Sequence, residues 1–218
     1  MSFFDTFLYY YFKIFKPSFL FQNKTYNYFC HKYNFTWRNE RAIEIPIIWT
    51  MVKKHNAKEV LEVGNVLSHY FNVKHDVIDK YEKTKGIINK DIVNFKPSKK
   101  YSLIVSISTL EHIGFEKEIN PKKALKALEN LKSNCLASKG KLIVTFPLGF
   151  NSFLDNLLVS RKLDFAKEFY LKRVLPTNRW KETNLQEIKD SKYNYKHSHA
   201  NALIIGIIEK GLPSFYCF

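Results

Sequence analysis

Arginine is scarce in this chain. Only Arg38, Arg41, Arg161, Arg173 and Arg179 occur among 35 basic residues, so the formal charge of +15 is carried almost wholly by lysines scattered along 218 residues. The guanidinium is the side chain suited to bidentate reading of bases and phosphates, and its scarcity argues for a solvated basic surface over a nucleic-acid partner. Cysteine is equally sparse. Cys30, Cys135 and Cys217 are odd in number and form no CxxC pair, which excludes a disulfide framework and fits reduced thiols in a cytoplasmic protein. His197 and His199 have no companion cluster, so no metal site is expected. No apolar run is long enough for a bilayer span, and the first residues show neither a basic start nor a small-residue cleavage site. Apolar and aromatic residues are plentiful. At 45 % hydrophobic and 16 % aromatic, the chain can bury a sizeable core and is not disordered.

Residues 3–16, FFDTFLYYYFKIFK, are dense in aromatics. Phe4, Phe7, Leu8, Tyr11, Ile14 and Phe15 follow a helical stripe, with Asp5, Tyr9, Lys13 and Lys16 on the other side, and Pro17 ends the pattern. This segment opens an arm over 1–38, ahead of a main domain over 39–218. The stripe predicts either docking on the domain, roofing its ligand site, or peripheral contact with a membrane surface; docking is the expectation.

The stretch EVLEVGNVLSHY, Glu59 to Tyr70, reads as a short apolar strand running into a glycine turn. HDVID then supplies a second strand ending on Asp79. Gly64 lets the backbone turn and approach a ligand, and Asp79 stands where an acid accepts hydrogen bonds from ribose hydroxyls. The two lie 15 positions apart, short of the roughly 20 of the dinucleotide fingerprint, which points to an adenosine-bearing ligand other than NAD. A helix is predicted over 37–56 with Pro46 as a kink or start. Strands are predicted at Ile88–Phe95 (a short strand or strand end carrying Asp91), at Lys99–Ser108, from Lys141, over 169–174 and over 202–209. Helices are predicted after Pro121 and over 180–191. This alternation predicts an α/β domain with a parallel sheet and helices on both faces.

In the order of these motifs the chain resembles the class I S-adenosylmethionine-dependent methyltransferases, across about residues 40–210. VLEVG is similar to that family's first motif, VIDKYE to its second, where an acid holds the ribose, and DIVNF to the segment whose Asp approaches the adenine amino group. VSISTLEHIG resembles the fourth-strand motif, GKLIVTFPLG the fifth strand, and ANALIIGIIEK the closing antiparallel strand. The resemblance implies a Rossmann-like, doubly wound sheet of seven-strand type, S-adenosyl-L-methionine as cofactor, and Glu62, Gly64, Asn65, Asp79, Asp91 and Ser108 as cofactor-binding candidates. The family's glycine loop reads GxGxG. Here it reads Gly64-Asn65-Val66-Leu67-Ser68, so only the first glycine is present, and Asn65 and Ser68 offer side chains in place of the missing backbone approach.

Methyl transfer from a sulfonium rests on positioning, since the cofactor carries the electrophile. A neutral hydroxyl acceptor is helped by a base, for which His112, just past the fourth strand, is the candidate. Glu111, Asn151 and Asp155 stand where an acceptor pocket would form. The implied activity is methylation of a small-molecule or glycan-type acceptor in the cytoplasm. The alternative is a non-catalytic or membrane-peripheral accessory protein on the same scaffold.

Overall fold

The computed structural model describes residues 3–115 and 119–211, with Phe3 and Phe4 described by their backbone alone; Cys217 lies outside the described residues. Helix α1 (Phe3–Phe15) leads into a hairpin of β1 (Ser18–Phe21) and β2 (Lys24–Asn27). A 3-10 segment, Tyr33–Arg38, precedes α2 (Arg41–Val52). Strands β3 (Val60–Val63), β4 (Asp76–Ile78), β5 (Ile87–Ile88) and β6 (Tyr101–Ile107) follow, joined by loops and single 3-10 turns. Helix α3 (Lys122–Asn130) runs on as a π-helical turn to Cys135 and enters β7 (Leu136–Pro147). After α4 (Ser152–Val159) come β8 (Lys167–Leu175), β9 (Arg179–Thr183), the single turn α5 (Leu185–Ile188) and β10 (Ala202–Glu209).

The main sheet has eight strands in the order β5-β4-β3-β6-β7-β10-β8-β9. The first five in that order are parallel neighbours, β10 runs antiparallel between β7 and β8, and β9 adds an antiparallel edge strand. Seven of these strands match the expected seven-strand type, and β9 is extra. Successive residues of a strand face opposite sides, and both sides are apolar here. Leu61, Val63, Ile104, Leu142, Val144 and Phe146 pack with α3, α4 and α5. Val60, Leu103, Val105, Ile107, Ile143, Leu203 and Ile205 pack with α1, the hairpin and α2.

The sheet is thus covered on both faces, but not as the alternation predicted. Among the described residues no α-helix lies between β3 and β6; the connections of 12, 8 and 12 residues hold at most a single 3-10 turn each. The N-terminal segment covers that face instead. In α2, Ile43, Ile45, Ile47 and Ile48 are all fully buried, each contributing about 1.5–3 kcal/mol. Pro46 sits inside this helix and has no N–H to give the carbonyl of Ala42. That carbonyl accepts from Phe29 N at 2.8 Å, so the proline ties the N-terminal segment to α2.

Helix α1 docks, with a phase different from the predicted stripe. Asp5, Leu8, Tyr9 and Phe12 are buried, while Phe7, Ile14 and Phe15 face outward. Tyr9 packs on Trp37 and Phe12 on Tyr28, at ring separations of 4.7 and 5.4 Å. Asp5 turns inward because Arg38 forks its carboxylate with two contacts of 3.3 Å. Two further expectations are corrected. Residues 91–95 form no strand: Asp91 caps a 3-10 turn over Ile92–Asn94, accepting from Val93 N. Residues 179–183 form the edge strand β9, and the predicted helix shrinks to one turn at Leu185–Ile188.

Candidate functional site

A cavity of about 250 Å³ opens at the carboxyl ends of β3, β4 and β6. Val63, Gly64, Asn65 and Val66 form one wall, Ile78, Asp79, Lys80 and Tyr81 a second, and Lys90, Asp91 and Ile92 a third. Thr109, His112, Ile113, Gly114 and Lys123 close it from the far side. Ligands of open α/β sheets bind at this edge. Of the candidates, Gly64, Asn65, Asp79, Asp91 and His112 therefore share one wall system.

Gly64 has φ +82°, and a Cβ there would stand 2.2 Å from Thr109 Oγ1. The glycine loop is pinned from beneath. Glu62, fully buried, accepts from Val66 N and Leu67 N at 2.8 and 2.7 Å, and its other oxygen pairs with His75 Nε2 at 2.7 Å. Glu62 is therefore absent from the cavity wall: it is the brace of the loop. The Asn65 side chain donates to Glu82 Oε1 at 2.7 Å and accepts from the Ser68 hydroxyl.

Asp79 organises the second wall. Its Oδ1 accepts from Tyr81 N and Glu82 N at 2.8 and 2.9 Å, and Oδ2 from Asn65 N at 3.3 Å. Asp91 pairs with Lys80 at 2.9 Å and Lys123 at 3.4 Å. Burial opposes ionisation of Asp91, but these two lysines and the cap at Val93 outweigh it and lower its pKa. Both acids present oxygen acceptors to the cavity.

Ser108 is placed elsewhere. Its hydroxyl donates to Glu44 Oε1 at 2.6 Å, beside the Thr145 hydroxyl on the same oxygen, while Arg41 Nη1 donates to Glu44 Oε2 at 2.6 Å. This buried cluster ties α2 to the ends of β6 and β7. The next residue, Thr109, takes the cavity position instead, because Ser108 turns at a φ of +36° just past the end of β6 and breaks the alternation of the strand. Lys80, Tyr81, Lys90 and Lys123 also line the cavity and were missed: scattered lysines carry no motif, and Lys80 and Tyr81 stand in VIDKYE beside the acid that drew the reading.

His112 lines the cavity and its ring meets Phe150 edge-on at 4.7 Å. Glu111 lies behind it, with 3.8 Å between its Oε1 and His112 Nε2, and is buried with no hydrogen-bond partner for Oε2 among the described residues. Burial first, then Glu44 and Glu40, push Glu111 well above the usual carboxylate range, against Arg41 and a backbone hydrogen bond. Asn151 is buried too. Its Oδ1 caps α4 through Phe153 N and Leu154 N, and its Nδ2 donates to Glu111 O at 2.8 Å. Asp155 accepts from Gly149 N at 3.0 Å, and burial pushes its pKa up to about 6. These three residues form a support beside the cavity, outside its wall.

Cys30 and Cys135 are free thiols, each pushed up to about 11 by burial. Among the described residues no His, Cys, Asp and Glu group is arranged to hold a metal, and no helix is long and apolar enough to cross a membrane.

No protein-family model and no curated protein sequence matches the chain. Solved structures do. The N-methyltransferase NodS from Bradyrhizobium japonicum WM9, in complex with S-adenosyl-L-homocysteine, aligns at TM-score 0.50 and 12 % identity over 79 % of this chain and 88 % of its own. A second structure of NodS gives 0.45 at 13 % identity, over 78 % and 96 %. An rRNA methylase from Escherichia coli gives 0.42 at 13 % identity, over 78 % and 65 %. The strand order and the first of these alignments show that the chain has the Rossmann-like fold of the class I methyltransferases.

Proposed function

We propose that the cavity binds S-adenosyl-L-methionine and that the chain transfers the methyl group to a small-molecule or glycan-type acceptor. The observation that carries this reading is the placement of Gly64, Asp79 and Asp91 around one cavity at the carboxyl edge of the parallel strands. The residues present suit the adenosine half of such a ligand. Gly64 lets the loop turn at a φ of +82° in close contact with Thr109, Asp79 and Asp91 offer acceptors to ribose hydroxyls and an adenine amino group, and Ile78, Ile92 and Ile113 supply apolar walls. The amides of Asn65, Val66 and Leu67 already serve Asp79 and Glu62, so the amino-acid half of the ligand must find its partners in side chains.

When bound, the cofactor supplies an activated methyl group on a sulfonium. The chain's own task is to hold the acceptor in line and to exclude water. His112 is the group in the cavity wall able to take a proton from a hydroxyl acceptor as the new bond forms. Glu111 and Asn151 keep that turn in place from behind.

Calorimetric titration of the full chain with S-adenosylmethionine and S-adenosylhomocysteine tests the proposal. Saturable binding of both, lost or weakened in Asp79→Ala, is expected. A folded chain that binds neither ligand would make the protein a scaffold without this chemistry. Salt-dependent binding of RNA in place of a small acceptor would overturn the acceptor class.

A further inference from the structure

Helix α1 is apolar on both sides, and the fold uses only one. Opposite the docked face, Phe7, Tyr10 and Ile14 stand 61 %, 52 % and 66 % exposed, and Phe15 at the helix end 71 %. At about 100° per residue, positions 7, 10 and 14 fall within about 30° of the direction opposite the buried residues. A helix docked on a globular domain ordinarily turns charged and polar residues to water there, so this face is built to be covered.

The surroundings say by what. Residues 1–38 hold five basic side chains, Lys13, Lys16, Lys24, Lys32 and Arg38, against the single acid Asp5. Arg38 already pairs with that acid, which leaves the lysines uncompensated within the segment. Lys13 and Lys16 are both exposed and bracket Ile14 and Phe15 in sequence. The same lysines disfavour a symmetric dimer through this patch, because a two-fold axis would bring like charges together. We propose that the outer face of α1 rests on an anionic lipid surface, with Phe7, Tyr10, Ile14 and Phe15 at the acyl boundary and Lys13 and Lys16 among the phosphates.

The dimensions suit this. Thirteen residues make a helix about 20 Å long, which lies in the interface plane and does not cross the bilayer. Leu20, exposed on the outer side of β1, and Lys24 in β2 continue the apolar-and-basic character into the hairpin. Sequence alone posed docking and membrane contact as rivals for one stripe. With two apolar faces on α1, both are satisfied at once. None of the described residues up to 38 lines the cavity, so the inference stands apart from the proposed methyl transfer.

The test is co-sedimentation of the full chain with vesicles of phosphatidylcholine alone and of phosphatidylcholine with phosphatidylglycerol. Binding to the anionic vesicles, falling as salt is raised, is expected, with little binding to the neutral ones. The double substitution Phe7→Ser and Ile14→Ser should weaken binding about tenfold or more while leaving the melting temperature near that of the parent. The pair Lys13→Gln and Lys16→Gln, outside the packed face, should weaken binding and flatten its salt dependence, which keeps the proposal testable if the serine variant misfolds. Phe12→Ala, on the docked face, should lower the melting temperature instead. Failure of the parent to sediment with anionic vesicles would overturn the proposal. So would unaltered sedimentation of a folded Phe7→Ser/Ile14→Ser chain, or a parent dimer that this substitution turns into a monomer.

Discussion

Glu62 and His75 meet at 2.7 Å beneath the glycine loop, both side chains buried. The histidine Nε2–H donates to one carboxylate oxygen while the other oxygen holds the amides of Val66 and Leu67. One carboxylate thus sets the height of the loop and fixes the start of β4 behind it.

Glu62→Ala leaves two loop amides and a histidine without their acceptor, and should cost about 3 kcal/mol or more in urea unfolding. Glu62→Gln keeps a carbonyl oxygen for the amides and should lose less. If the two variants unfold with the midpoint of the parent, the carboxylate is not the brace of this loop.

Gly64→Ala forces a Cβ into Thr109, with contacts of 2.2 Å to Oγ1 and 2.6 Å to Cγ2, at a φ that L-residues avoid. The expected destabilisation is about 2–4 kcal/mol, overpacking plus left-handed strain. In a Thr109→Ala background part of the loss should return, since the two nearest atoms, Oγ1 and Cγ2, are removed while the Cβ of residue 109 stays at 2.9 Å. A double-mutant cycle reads the coupling; additive losses would show that the clash is relieved elsewhere.

Asp79→Ala should weaken cofactor binding by about 1.5–3 kcal/mol, the scale of hydrogen bonds to a charged group. Because Asp79 also accepts from Asn65 N, Tyr81 N and Glu82 N, thermal stability should fall alongside affinity. Asp79→Asn keeps one acceptor oxygen and should recover part of both. Calorimetry and melting curves on the two variants separate the effects, and unchanged affinity in a folded Asp79→Ala chain moves the ribose contact elsewhere.

Asp155 carries a pH dependence of its own. Its pKa is raised by burial to about 6, so between pH 4 and 6 the folded chain binds more protons at this site than the unfolded chain. Stability from this group is full below about pH 4 and is lost as pH rises through about 6. Asp155→Asn should therefore melt higher than the parent at pH 7–8, by the equivalent of about 1 kcal/mol after allowance for partial exposure, and no higher at pH 4. Melting curves across that range check the sign.

The central strands were legible in the sequence because their physics is local. Ser102 to Ile107 reads as a run that must be buried on both faces, and it is the middle of the sheet. Helix α1 was legible as a helix but not in its phase. Nearly every residue from Phe7 to Phe15 is apolar, so hydrophobicity could not orient it. Of the residues assigned to the wet side, Lys13 and Lys16 are exposed, but Tyr9 packs on Trp37 and Asp5 is buried by Arg38, 33 positions away. Residues 179–183 read as polar helix because an edge strand buries little, with Trp180 the side chain turned in. Gly64 and Asp79 were picked from their place after apolar strands and Asp91 from the family resemblance, and the three line one cavity. Ser108 was chosen where its neighbour Thr109 faces the cavity, a distinction decided by Glu44 on a distant helix.

The covering of one sheet face by the first fifty residues has a consequence for how the chain is made. Tyr28 Oη accepts from Trp180 N, the Asn39 carbonyl from the Asn178 side chain, and Glu40 from Ala200 N, at sequence separations of 152, 139 and 160. Leu203, Ile205 and Ile207 of the last strand share a core with Leu8, Phe12 and Ile43. In synthesis this segment precedes all of these partners: Val60, Leu103, Val105 and Ile143 follow it along the chain, but Leu203 comes 160 positions after Ile43 and 195 after Leu8. Part of its apolar surface therefore has no cover until β10 is made. Such long-range closure slows folding and leaves apolar surface exposed to aggregation while the chain is completed.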